Sequence, residues 1–188
     1  MPVPDGELRL RFVAETDLVA GDHAAISALL RTAFPEHAEK FRVVSWYPGR
    51  PEHRLWLEKP NGAIVVHLYF ERRLIGVGDR EVLIAGVGGV ATHPKQQGKG
   101  LGRLLMGELC RILTTKTPVE FGYLGCREEV VGFYEQVGWH RIYQKVRELD
   151  PQSGEWTVSK DPTLILPATA SLADWPRDGQ IDLRGVWW

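Results

Sequence analysis

The sequence predicts a mixed α/β fold: a central, mostly antiparallel sheet flanked by helices. Three observations carry that expectation. Strand-like runs between residues 54 and 92 are joined by short turns. After His93-Pro94 the apolar spacing changes from strand-like to helical, and from residue 119 a further strand and short helix follow.

Glu7 to Ala14 alternates polar and apolar side chains, the period of a half-buried strand. Asp22 suits an N-cap, with Ala25, Ile26, Leu29, Leu30 and Ala33 at helical spacing behind it and Pro35 as the stop. Residues 35–52 are mixed and aromatic and receive no element. Arg54 to Glu58 reads as a strand closed by Pro60-Asn61-Gly62, because Asn-Gly readily takes the positive φ angles of a tight hairpin turn. Ala63 to Leu74 is rich in β-branched and aromatic residues, and Gly76 to Arg80 turns the chain into a run over Glu81 to Thr92. Together these three runs make an antiparallel meander.

Leu101, Leu104, Leu105, Leu109, Ile112 and Leu113 then line one face of a helix that Thr117-Pro118 ends. Val119 to Leu124 is the next strand, Glu128 to Val137 a short helix, and Gly138 its left-handed stop. Trp139 to Leu149 returns to strand-like alternation, and the tail from Asp150 holds one clear strand, Thr163 to Leu166.

Bulk properties narrow the function. A chain of 188 residues supports one sizeable core, so a single domain over 1–188 is expected. A net charge of −1 gives no bulk attraction to nucleic acid or an anionic membrane. The first residues lack a basic-then-apolar leader, and no apolar run approaches the roughly 20 residues of a spanning helix, so a cytoplasmic location is expected. Cys110 and Cys126 form no C-x-x-C pair and the six histidines lack ligand spacing, so no metal is expected.

The most informative segment is Gln97-Gly98-Lys99-Gly100-Leu101-Gly102-Arg103, where a strand has ended and a helix begins. Glycines let the backbone approach a ligand closely, and the helix N-terminus carries a partial positive charge that suits a pyrophosphate. Lys95, Lys99 and Arg103 add formal charge. A purely structural glycine turn is the competing reading. A Walker A loop would need glycine where His93 stands and Ser or Thr where Gly100 stands. A dinucleotide fingerprint needs G-x-G-x-x-G and a βαβ unit, whereas this turn reads G-x-G-x-G after an antiparallel meander.

Gln97 to Gly102 matches Q/R-x-x-G-x-G/A, and Phe133-Tyr134-Glu-Gln-Val-Gly138-Trp139 matches a second, downstream pattern. With both in order over residues 80–145, the chain resembles the GNAT superfamily of acyltransferases. That resemblance implies a sheet whose fourth and fifth strands splay apart, with acetyl-CoA as donor and direct transfer through a tetrahedral intermediate. It implies that Val90, Ala91 and Thr92 meet the pantetheine arm, the Val90 N–H lying near the thioester carbonyl. It places the pyrophosphate on Gln97, Gly98, Lys99, Gly100, Leu101, Gly102 and Arg103, and makes Tyr134 the acid that protonates the leaving thiolate. Arg127 stands where many members carry an Asn that contacts pantetheine.

The general base is sought first at His93 and then at His67, with Glu71 and Glu81 as further candidates. Cys126 reads as buried and structural. Gly86, Gly88 and Gly89 make the strand over Glu81 to Thr92 prone to a bulge and open space beside it, which would admit an acyl chain. Arg72 to Ile75, Leu164 to Pro167 and Trp188 are similar to the aminoglycoside 2′-N-acetyltransferases. The arrangement of the two long strands is similar to that of the nodulation acyltransferase NodA, which acylates a chitooligosaccharide amine. Gly88 replaces the acid of the aminoglycoside enzymes, and Gly185-Val-Trp-Trp replaces their acidic C-terminal residue, which weighs against a polycationic aminoglycoside. The expected acceptor is a primary amine on a small polar, amino-sugar-like molecule, walled by Phe41 to Tyr47 and by the tail 150–188. Peptide N-acetylation and a non-catalytic CoA sensor are the alternatives, and the oligomeric state is open, a homodimer included.

Overall fold

The computed structural model describes residues 8–188. Glu7, placed above at the start of the first strand, and the opening residues tested for a leader lie outside the described residues. Contacts divide the chain into two compact units, residues 8–70 with 88–106 and residues 71–87 with 107–188.

In the first unit β1 (Arg9–Ala14) pairs antiparallel with β2 (His53–Glu58), from Arg9↔Glu58 to Ala14↔His53. β2 pairs antiparallel with β3 (Ile64–Val77), His53↔Phe70 through Leu57↔Val66, and the register shifts at Leu57/Glu58. Helix α1 (Ala20–Ala33) buries Ile26, Leu29 and Leu30 against Phe41, Trp56, Ile64 and Ala91. Its N-cap is Val19, not Asp22: Asp22 sits three residues in, and its carboxylate accepts the Val19 N–H at 3.1 Å. An acid there satisfies one N-terminal donor from inside the helix, which explains the misplaced start. The Phe34 N–H closes the other end on the Leu30 carbonyl at 2.8 Å, ahead of Pro35. The unassigned stretch 35–52 contains two 3₁₀ turns, the second of which buries Phe41.

In the second unit the strand order is β6-β9-β5-β4-β3-β10-β7-β8. Here β4 is Arg80–Thr92, β5 Phe121–Gly125, β6 His140–Ile142, β7 Val146–Leu149, β8 Trp156–Val158, β9 Thr163–Pro167 and β10 Ile181–Asp182. β4 with β5 and β10 with β7 run parallel; β5–β9, β6–β9, β7–β8 and β3–β10 run antiparallel. β4 and β5 pair over Ile84↔Phe121 to Gly86↔Tyr123, a short stretch of each strand. The core gathers Ile75, Val82, Ile84, Phe121, Tyr123, Ile165, Trp175 and Ile181.

Helix α2 (Leu101–Thr115) buries Leu101, Leu105, Met106, Leu109, Ile112 and Leu113. Leu104, expected on that face, is exposed. At 100° per residue it lies about 130° from the middle of the buried arc, and Met106 closes the arc instead. The expected helix over 128–137 is a 3₁₀ turn followed by α3 (Val131–Glu135), with Gly138 at φ +94° beyond it. Among the described residues no helix is long and apolar enough to cross a membrane.

Candidate functional site

In the first unit β4 ends at Thr92 and the chain enters a 3₁₀ turn, Pro94–Gln96, before α2. Gly98 and Gly100 both lie in the left-handed region, at φ +75° and +77°, where a side chain is strained. Left-handed residues at alternate positions just before a helix are a setting in which backbone N–H groups can face an anion. The first helical bond of α2 runs from the Leu104 N–H to the Gly100 carbonyl at 3.0 Å. The N–H groups of Leu101, Gly102 and Arg103 precede it and have no helical acceptor. Gly98, Lys99, Gly100 and Arg103 are all exposed, so the turn is open to a solute. An added Cβ at Gly98 or Gly100 would touch nothing within 4 Å. Bulk at this turn is therefore limited by backbone angle, not by neighbours.

His93 caps the 3₁₀ turn. Its backbone N–H donates to the Val65 carbonyl at 2.9 Å, and its ring Nδ1 accepts the Lys95 N–H at 3.2 Å. His67 is more firmly committed. It is fully buried, with Nδ1 at 3.0 Å from the Gly89 carbonyl and Nε2 at 3.4 Å from Arg54 Nη1. A carbonyl only accepts and a guanidinium only donates, so Nδ1 carries the proton and Nε2 presents its lone pair to Arg54. Burial first, and then the Arg54 charge, lower its pKa from 6.5 to about 3, against the raising effect of the Gly89 bond. The ring is neutral and its basic nitrogen is occupied.

Behind His67 stands a buried charged network that the sequence did not reveal. Arg54 is fully buried, and its Nε and Nη2 meet Glu15 Oε2 and Oε1 at 2.6 and 3.1 Å. Arg54 also donates to the Ser45 carbonyl at 2.7 Å and the Ser45 hydroxyl at 3.1 Å, and its guanidinium lies over the Tyr69 ring. The Tyr69 hydroxyl donates to the Tyr47 carbonyl at 2.8 Å. Gly89 has φ +56°, and a Cβ there would lie 2.5 Å from the Tyr69 ring. The space that glycine opens beside β4 is thus taken by tyrosine.

The His67 environment sets an acid response. Between pH of about 3 and 6.5 the unfolded chain binds a proton that the folded ring refuses, so stability falls as pH is lowered through that window. Above it both states are neutral and the contribution is flat. At pH 5 the loss should reach about 2 kcal/mol, at roughly 1.4 kcal/mol per pH unit. Arg54, with Glu15 behind it, is the charged group facing the ring. Urea unfolding at pH 7.5 and 5 checks this: His67→Asn should lose less stability than the parent on acidification, and an equal loss would assign the effect elsewhere.

In the second unit Tyr134 is buried on α3, its ring edge-on to Phe133 and Trp139. Burial, and then the nearby Cys126, push its phenol well above the ordinary value of 10. Cys126 is half-buried, not fully buried as expected, and its thiol is pushed up to about 11, by burial first and then by Asp161 and Glu128. A thiol so rarely ionised is a poor nucleophile at neutral pH. Arg127 is exposed and precedes the 3₁₀ turn Glu128–Val130. Glu71 pairs with Arg73, and Glu81 with Arg184 at 2.6 Å, so both reserve candidates for the base are committed to cations. The Trp188 indole fills the notch at Gly86, where a Cβ would lie 1.7 Å from Cε2. Trp188 packs edge-on to Tyr123 and beneath the Arg73 guanidinium. Among the described residues no cluster of His, Cys, Asp or Glu would hold a metal.

A family model for nodulation protein A (NodA) matches residues 5–186. The chain is 26% identical over 192 residues to nodulation protein A of Rhizobium tropici, covering 95% of this chain and 97% of the relative. It is 27% identical over 198 residues to that of Mesorhizobium japonicum, covering 97% and 98%. Among solved structures, the GNAT family N-acetyltransferase YhbS from Escherichia coli, in complex with CoA, superposes with a TM-score of 0.62 at 18% identity, covering 95% of this chain and 92% of that one. ElaA of Escherichia coli superposes at 0.58 with 15% identity, covering 85% and 98%. These likenesses establish the GNAT fold.

Proposed function

Because the chain belongs to the nodulation protein A family, and is thus an acyltransferase of the GNAT fold, we propose that it transfers an acetyl group from acetyl-CoA to the primary amine of an amino sugar. The observation that carries the donor is the turn over Gln97 to Arg103, with its two left-handed glycines opening α2. The N–H groups that open α2 ahead of its first helical bond, with Lys99 and Arg103 beside them, suit the paired phosphates of CoA. Amino-sugar acceptance is favoured by the family, since NodA acylates a chitooligosaccharide amine.

The reaction balances simply. A neutral amine, its proton lost to water, attacks the thioester carbon; the C–N bond forms and the carbonyl electrons move to oxygen. The Val90 N–H is the donor assigned to that oxyanion, a contribution of about 3 kcal/mol if it strengthens toward the transition state. Collapse breaks the C–S bond, the thiolate takes the Tyr134 hydroxyl proton, and the proton shed by the attacking nitrogen, passed through water, restores the phenol. Both ring nitrogens of His67 are hydrogen-bonded, which disfavours it as the base, whereas only Nδ1 of His93 is engaged, so His93 stays the first candidate to take the amine proton through water.

Calorimetry with CoA tests the cradle. Gly100→Val should weaken CoA binding about tenfold, because the substitution strains φ by roughly 1–2 kcal/mol and crowds the anion. An unchanged Kd would remove this turn as the phosphate site. Thiol release from acetyl-CoA with glucosamine oligomers and a panel of other amines tests the acceptor: release with none of them would defeat the catalytic reading.

A further inference from the structure

The Gly89–Val90 peptide is one rigid plate, and its two polar groups face opposite ways. In a trans peptide the carbonyl and the following N–H point in opposite directions, so whatever holds one aims the other. Gly89 is left-handed at φ +56°, a conformation that turns its peptide out of a regular β-ladder. Its carbonyl meets the His67 ring at 3.0 Å, and His67 has no freedom to let go. The ring is fully buried, fixed as the Nδ1–H tautomer by its own acceptor and by Arg54, which is itself gripped by Glu15 and Ser45. Tyr69 closes the remaining side, its ring standing where a Gly89 side chain would be. A neutral donor on a locked mount is poorly suited to moving protons and well suited to holding a dipole.

We infer that His67 is a positioning residue: by holding the Gly89 carbonyl, it aims the Val90 N–H at the acyl oxygen of the bound thioester. This rests on the proposed role of Val90 as oxyanion donor. Glu15, Ser45 and Arg54 form the mount, and the chemistry stays with the Val90 amide. Preorganisation is the point of such an arrangement. A donor already aimed before the oxyanion forms costs no reorganisation when charge develops, whereas a free peptide would rotate toward solvent or a strand neighbour.

The test is the carbonyl stretch of bound acetyl-CoA, isotopically labelled at its carbonyl carbon, in the parent, His67→Leu, His67→Asn and His67→Gln. Asn places an amide donor near the Nδ1 position, whereas Gln places it near Nε2, against Arg54. Binding should lower the carbonyl frequency in the parent and in His67→Asn but not in His67→Leu, with CoA affinity unchanged throughout. In parallel kcat should fall about 10- to 100-fold in His67→Leu and recover largely in His67→Asn, with KM for acetyl-CoA steady. A frequency lowered equally in parent and His67→Leu overturns this inference and leaves the Val90 reading standing. No lowering in the parent removes the Val90 reading, and this inference with it. Should His67→Leu not fold, the Asn and Gln variants decide: Asn keeping the shift and Gln losing it supports the assignment, and equal behaviour overturns it.

Discussion

Replacing Tyr134 with phenylalanine should lower kcat by roughly 10²–10⁴-fold while leaving CoA affinity unchanged, as expected for loss of a general acid. The substitution removes one oxygen and keeps the ring that packs edge-on to Phe133 and Trp139, so the fold should be retained. The backbone around it is well fixed: the N–H groups of Val137 and Trp139 both donate to the Tyr134 carbonyl, at 3.0 and 3.1 Å. Burial holds the phenol protonated well beyond neutral pH, so it always has a proton to give. A leaving thiolate with a pKa of about 8.5 is a weaker base than the phenolate, so the transfer is driven by the acidic N–H of the tetrahedral intermediate, whose proton restores the phenol. Because the phenol ionises above its ordinary value, no alkaline loss of rate attributable to Tyr134 should appear below a pH of about 10. Stopped-flow thiol release under single-turnover conditions separates this step from product release, and a Tyr134→Phe enzyme with parental kcat would remove the residue from the mechanism.

The largest effect on stability is expected at Arg54. Arg54→Met leaves the Glu15 carboxylate, 3% exposed, without its bidentate partner, and takes the Arg54 donor from the Ser45 carbonyl. Removing one partner of a buried ion pair costs about 3–5 kcal/mol, because the remaining charge stays desolvated. Adding Glu15→Gln should restore part of that, since the orphaned charge is then gone and the two effects fall short of additivity. Arg50 Nε lies 3.9 Å from Glu15 but is largely exposed, and it cannot replace a buried bidentate contact. Urea denaturation of the two single variants and the double variant measures this; a loss below about 1 kcal/mol in Arg54→Met would show that water reaches Glu15.

What could be read from the sequence follows how local its causes are. The form of the turn at Gln97 to Arg103 was legible because it needs only glycines at alternate positions and the start of a helix. The left-handed angles at Gly98 and Gly100 are what that spacing implies. The face of α2 was legible apart from Leu104, where a nearly correct spacing concealed an angular error. The short pairing of β4 with β5 is what the resemblance implied, and no pattern in either strand would have given it. The Glu15–Arg54 pair was hidden because its members stand 39 residues apart, and Arg54 read as a polar residue at the edge of a strand. The only hint was an arginine immediately before the apolar Leu55-Trp56-Leu57. His67 looked like a candidate base because a lone histidine on a strand carries no sign of its acceptors. β10 has two residues, too few to show any period, and it is held by its neighbours β3 and β7.

The indole at position 188 also constrains how this sequence can drift. Its ring stands in the volume that any side chain at position 86 would claim, and Arg73, which lies over it, is tied to the Leu183 and Val186 carbonyls at 3.0 and 2.8 Å. Neither residue can change size alone: enlarging 86 evicts the ring, and shrinking 188 leaves a hollow beside Tyr123. Across the family, bulk at the two positions should therefore trade off, one gaining where the other gives way.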